Sequence, residues 1–161
     1  MQELQAHKVD INEWDKLRDI RTRAIIDSPQ AFGDTLEETL ARTEDQWKGW
    51  IRNNIYVVED NARFVASATW WKKHPEYGDY IVGVWTDSKY RGKGLNKKLF
   101  EQIFTDAKSA GVTKISLHVN IDQLAAVNSY KNLGFEIAGT VLQKKMGDGK
   151  LYDEYLMEKS L

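Results

Sequence analysis

The chain has 161 residues, 42% of them hydrophobic and 29% charged, with a formal net charge of −1 and no cysteine. That length and apolar fraction suit one domain, residues 1–161, with a core of its own, and exclude bulk disorder. The near-neutral balance lacks the basic bias of a nucleic-acid binder, and the missing thiols exclude disulfides, thiolate metal sites and a cysteine nucleophile.

Gln2–Lys8 reads as a first strand. Asp10 or Asn12 caps a helix in which Trp14, Leu17, Ile20 and Ala24 recur at helical spacing, and Ser28-Pro29 ends it. Ala31–Arg42 is acidic and less regular. Thr43, followed by Glu44, Asp45 and Gln46, starts a second helix through Trp47, Trp50 and Ile51. Ile55–Glu59 and Arg63–Trp71 are β-rich runs joined by a hairpin signal, Asp60-Asn61-Ala62. Lys72–Gly78 reads as a loop and Tyr80–Thr86 as a strand. Leu95, Leu99, Ile103 and Ala107 share one helical face, and Gly111 suits the position just past that helix. Val112–Val119 is a strand. Asp122 caps a helix to Leu133, with Gly134 as its terminator. Glu136–Lys144 and Leu151–Lys159 form a hairpin around Gly147-Asp148-Gly149. The order is that of a mixed α/β domain.

No apolar run reaches transmembrane length, and Met1-Gln2-Glu3-Leu4-Gln5 lacks signal-peptide character. The expectation is a cytoplasmic protein that engages neither membranes nor nucleic acid. His7, His74 and His118 show no metal-type spacing, so no metal is expected.

The segment Ile81–Asn96 carries the chemistry. An apolar strand runs into a loop rich in glycine and basic residues, and a helix starts at once. A helix N-terminus offers unbonded N–H groups and a partial positive charge. Gly92 and Gly94 let the backbone wrap closely around an anion, and Arg91, Lys93, Lys97 and Lys98 add charge. The segment reads as a pyrophosphate seat. It lacks the Ser or Thr after the lysine of a Walker A loop and the third glycine of a dinucleotide fingerprint.

Two segments resemble the GNAT acyltransferase superfamily. Arg91-Gly92-Lys93-Gly94-Leu95-Asn96 is similar to its Q/R-x-x-G-x-G/A pyrophosphate motif, with Asn96 in place of the small residue. Leu117–Phe135 is similar to its strand-then-helix block ending in Y-x-x-x-G-F, with Gln123 where asparagine is usual. The resemblance runs from about Tyr56 onward. It implies a GNAT fold: a central mixed, mostly antiparallel sheet with a splayed parallel strand pair, flanked by helices.

The resemblance further implies acetyl-CoA lying between Tyr80–Thr86 and Val112–Val119, transferring acetyl to a primary amine of a small molecule or peptide by direct attack. On it, Val84, Trp85 and Thr86 contact the pantetheine and Arg91, Gly92, Lys93, Gly94, Leu95, Asn96 and Lys97 the diphosphate. Asn128 also touches the cofactor. The Val84 N–H polarises the thioester carbonyl, a contribution of roughly 3 kcal/mol. Tyr130 falls where the family places its general acid, and His118 lies where some members place a catalytic glutamate. Gly83, inside the strand, fits a bulge or a close approach. Asp34, Glu37, Glu38, Glu44 and Asp45 form an acidic stretch that would attract a cationic amine, with Glu37 and Glu38 the candidate substrate contacts. Tyr152, Asp153 and Glu154 are further candidates near the acceptor. Leu151–Lys159 offers an edge for a homodimer. Two other readings fit the same residues: a non-catalytic acyl-CoA-binding module, and an acetyltransferase acting on protein N-termini or lysines.

Overall fold

A computed structural model describes residues 3–52 and 54–161; Gln2, the first residue of the expected first strand, lies outside them. Its strands are β1 (Ala6–Lys8), β2 (Ile55–Asp60), β3 (Arg63–His74), β4 (Gly78–Thr86), β5 (Lys114–Asn120), β6 (Glu136–Lys145) and β7 (Leu151–Ser160). Its helices are α1 (Trp14–Asp27), α2 (Leu36–Ala41), α3 (Glu44–Ile51), α4 (Leu95–Ser109) and α5 (Leu124–Asn132). The strands form one sheet in the order β1-β2-β3-β4-β5-β7-β6. Neighbours run antiparallel except β4 and β5, which are parallel. The expected mixed sheet with one parallel pair is therefore present.

Each face of the sheet buries its own helices. On one side Leu17, Ile20, Ala24 and Ile25 of α1 and Trp47 of α3 pack on Ile55, Val57, Phe64 and Trp85. On the other, Leu95, Leu99, Phe100, Ile103 and Ala107 of α4 and Val127 and Tyr130 of α5 pack on Tyr56, Ala66, Ala68, Ile115, Leu117 and Met157. Complete burial of a large apolar side chain stabilises by about 1.5–3 kcal/mol, so these stripes anchor both layers.

Local chemistry sets the element ends. Asp10, not Asn12, is the first cap: its carboxylate accepts the Asn12 N–H, and Glu13 accepts the Asp10 N–H in return. Thr43 and Gln46 form the expected capping box on α3. A third box, Thr35 with Glu38, starts α2 inside the stretch expected to be irregular. Asp122 is not the cap of α5. Gln123 holds that position, while the Asp122 N–H donates to Asn120 Oδ1. Asn61 and Ala62 both adopt positive φ in the two-residue β2–β3 turn. The expected loop at Lys72–Gly78 is shorter: β3 runs on to His74, and its ring Nδ1 accepts the Glu76 and Tyr77 N–H groups to close a tight turn. Leu151–Lys159 is not an edge either. β7 lies between β5 and β6, and β6 is the edge strand on that side.

Candidate active site

β4 and β5 are paired only at Tyr80–Ser116 and Ile81–Leu117. Beyond Ile81 the strands part, because β4 is bulged: Ser67 pairs with Trp85 but Thr69 with Val82, leaving Gly83 and Val84 opposite Ala68. Gly83 takes φ +64°, and a Cβ there would lie 3.0 Å from Arg21 Nη1. Both expectations for Gly83, a bulge and a close approach, are met by the same residue.

The parted strands open a cavity of about 400 Å³ that crosses the sheet. Its walls include Val82, Gly83 and Val84 of β4 and His118, Val119 and Asn120 of β5. Gln123, Ala126 and Tyr130 close the α5 side, and Arg21, Asp34, Arg42 and Trp50 the α1–α3 side. Val84, His118 and Tyr130 are thus brought to one cavity. Thr86 and Trp85 behave differently. The Asp87 N–H donates to the Val65 carbonyl, so by antiparallel alternation Trp85 faces β3 through its backbone and Thr86 faces away. The Trp85 side chain is buried against α1, and its indole N–H donates to Asp27 at 3.0 Å.

The loop expected to seat a phosphate has two glycines in left-handed backbone. Gly92 and Gly94 have φ +76° and +78°, a Cβ on either would meet nothing within 4 Å, and Gly94 caps α4 without any side-chain bond. The first turn of α4 contains no acidic residue, so its N–H groups and partial charge are available to an anion. The basic residues divide. Lys93 lies over the Tyr90 ring, and Lys97 is exposed with Glu101 3.8 Å away. Arg91 braces the loop instead: its Nε–H donates to the Thr86 carbonyl and its Nη2–H to Asp27 at 2.6 Å. The Trp85 indole, Ser28 hydroxyl and Arg91 guanidinium hold the Asp27 carboxyl below the usual range. Lys98 turns away and donates to Glu3 and to the Leu4 carbonyl. Leu95 is core, and Asn96 Oδ1 is buried without a partner among the described residues. Lys97 and Asn128 line a second groove between α4 and α5.

Tyr130 packs against Phe100 and Phe135, and burial pushes its phenol pKa up, so the hydroxyl stays protonated. His118 is paired through Nδ1 with the Tyr80 hydroxyl, while its Nε2 is buried without a partner among the described residues. Burial first, and the Lys144 ammonium second, lower the His118 pKa to about 4, which keeps the ring neutral at neutral pH.

The acidic stretch contributes one cavity residue. Glu38 is committed to the α2 capping box, Glu37 lies beside it in the first turn, and neither lines the cavity. Asp34 does, and it is not alone. Arg21 Nη2–H donates to its Oδ1 at 2.7 Å and Arg42 Nη1–H to its Oδ2 at 3.1 Å. Burial works against the Asp34 carboxylate, but the two guanidiniums overcome it and hold its pKa below the usual range. Of the β7 candidates only Glu154 reaches the cavity. Lys144 Nζ lies 3.1 Å from its Oε1, near enough for an ion pair, although that oxygen makes no aligned hydrogen bond. Tyr152 donates instead to Asp148, and Asp153 accepts the Gln143 N–H.

Sequence reasoning missed Arg21 and Arg42. A signal existed for Arg21, which follows Leu17 by four and precedes Ala24 by three, on the buried stripe where a charge needs a partner. Away from the cavity, His7, Glu13 and Glu59 bring ligand atoms within 4.8 Å of one another, a group the histidine spacing did not show. Lys16 supplies a cation there, 2.7 Å from Glu59 and 3.9 Å from Glu13.

The Acetyltransferase (GNAT) family model matches residues 14–135. The chain belongs to the GNAT acetyltransferase family. Its GNAT relatives include the uncharacterized N-acetyltransferase YycN of Bacillus subtilis, 32% identical over 74% of this chain and 73% of that protein. Another is the mycothiol acetyltransferase of Kocuria rhizophila, 29% identical over 73% of this chain. The match spans only 40% of that longer protein. The fold matches that of yncA from Salmonella typhimurium, solved with acetyl-CoA, with a TM-score of 0.82 at 17% identity over 99% of this chain and 95% of that one. No described helix is long and apolar enough to cross a membrane.

Proposed function

We propose that this protein transfers an acetyl group from acetyl-CoA to a primary amine by direct attack in a ternary complex. The observation that carries this reading is the cavity through the parted β4 and β5 strands, which has Val84 on one wall and Tyr130 on the other. Acetyl-CoA lays its diphosphate on the N–H groups of Gly92–Asn96 and threads its pantetheine arm alongside β4, where Thr86 faces away from β3. A half-turn of the Asn96 amide presents its NH₂ to a phosphate. Lys93 and Lys97 add charge, and Asn128 shares the groove with Lys97.

In the reaction, the amine nitrogen bonds to the thioester carbon and the oxygen gains charge that the Val84 N–H stabilises. The carbon–sulfur bond then breaks and the thiolate takes a proton from the Tyr130 hydroxyl, which regains one from solvent before the next turnover. The nitrogen's surplus proton leaves through His118 Nε2, which carries a lone pair when Nδ1–H is the donor to Tyr80. An imidazole with a pKa of about 4 is a weak base, so His118 serves as a relay to solvent rather than as a proton store.

The test is thiol release from acetyl-CoA against a panel of amines, with substrate concentrations varied together. Intersecting initial-rate lines support direct attack. Binding of acetyl-CoA without turnover of any amine supports a non-catalytic module instead.

A further inference from the structure

The acceptor side of the cavity is basic. Arg21, Arg42 and Lys144 line it against two carboxylates, Asp34 and Glu154, and His118 is neutral. On the acetyl-transfer reading the phosphates of acetyl-CoA do not account for this charge, because none of Gly92–Asn96, their proposed seat, lines this cavity.

The two arginines are held as a rigid pair. The Arg21 guanidinium lies 4.3 Å from the Phe32 ring centre and 5.0 Å from that of Trp50. The Arg42 guanidinium lies 4.4 Å from Trp50 and 5.2 Å from Trp47. Aromatic faces of this kind fix a planar guanidinium and limit its escape to water. Asp34 takes the Nε–H and Nη2–H of Arg21 and the Nη1–H of Arg42. Each guanidinium has five donors, and the others find no acceptor among the described residues. Arg21 Nη1 is the group that a Cβ at Gly83 would touch, so this free donor of Arg21 sits against the β4 bulge, next to Val84.

We infer that the acceptor is a compact amine that also bears a carboxylate, with Arg21 and Arg42 holding the carboxylate while the amine faces the thioester beside Val84. The class is that of free amino acids. This rests on the acetyl-transfer reading for the role of the amine, but the anion seat itself does not depend on turnover. Two forks beside one internal aspartate present the planar, bidentate geometry a carboxylate matches.

The test compares matched pairs. Each common amino acid and its carboxamide are offered with acetyl-CoA, and thiol release gives kcat/KM for both. In parallel, N-acetylalanine and N-acetylalaninamide are titrated calorimetrically into the protein–CoA complex, which needs no catalysis. The carboxylate member is expected to be favoured about tenfold or more in both assays, the scale of a charge-assisted hydrogen-bonded pair. Arg42→Gln is expected to remove most of that preference without changing the affinity for acetyl-CoA. Arg21→Gln is expected to do the same, and if it does not fold, Arg42→Gln decides. Carboxylate-selective binding without any thiol release would keep the anion seat and overturn acetyl transfer. Thiol release or binding that treats both members of every pair alike, or no response to any carboxylate, overturns the inference.

Discussion

The glycine-rich loop after β4 and the α1–α3 side of the cavity are built in opposite ways. The loop is local: six consecutive residues, Arg91–Asn96, two glycines at positive φ, and a helix whose cap, Gly94, makes no side-chain bond. The cleft is assembled from distant segments: Arg21 from α1, Phe32 and Asp34 from the connection to α2, Arg42 just after α2, and Lys144 and Glu154 from the last hairpin. Space differs as well. A Cβ at Gly92 meets nothing within 4 Å, whereas one at Gly147 would lie 2.3 Å from the Asp34 carbonyl oxygen and 2.9 Å from that of Phe32. The Gly147 N–H in fact donates to the Phe32 carbonyl at 2.7 Å. The first region leaves open space around its glycines, while the second closes on its own backbone.

Substitutions at either region probe that contrast. The largest effect is expected between them, at Tyr130→Phe, which keeps the packing against Phe100 and Phe135 but removes the proton donor. Thiol release should fall by about a hundredfold or more, the usual range for a lost general acid, with acetyl-CoA affinity unchanged. Gly147→Ala comes next. Its Cβ has nowhere to go, so the hairpin and the Phe32–Asp34 segment must separate. Denaturant unfolding should show a loss of about 1–3 kcal/mol, with acceptor KM raised more than that for acetyl-CoA. Gly92→Ala should lose only the cost of a left-handed residue, about 1–2 kcal/mol. Its main effect should be weaker binding of acetyl-CoA by calorimetry, with acceptor KM little altered.

A separate effect is a pH dependence of stability. His118 titrates near pH 4 in the folded protein against an ordinary value of about 6.5, so the unfolded chain binds more protons between those values. The stabilising preference for neutral His118 is therefore complete above about pH 6.5 and is lost as pH falls toward about 4. Urea midpoints at pH 7 and pH 4.5 should differ more for the wild type than for His118→Gln.

The same contrast explains what the sequence told. Every strand and four of the five helices follow from periodicity and turn chemistry, because those signals span a few residues. α2 was missed although its capping box, Thr35 with Glu38, was there to read; its six residues are too short to show a periodic stripe. Local motifs also pointed to Val84, His118 and Tyr130, which the structure brings to one cavity. The acceptor side was misread because acidic residues are adjacent in sequence while their partners are not. Glu38 serves a helix cap, and Asp34 meets arginines 13 residues before and 8 after it. Lys98 and Arg91 show the same limit, since nothing nearby in sequence reveals that they bind Leu4 and Asp27.

Backbone amide resonances followed by NMR during an acetyl-CoA titration bear most directly on how the cofactor is held. The N–H signals of Gly92, Gly94 and Asn96 should move most, together with those of Val84 and Thr86, while the β6 edge stays still. Binding that leaves the loop amides unmoved, or no binding at all, would contradict it.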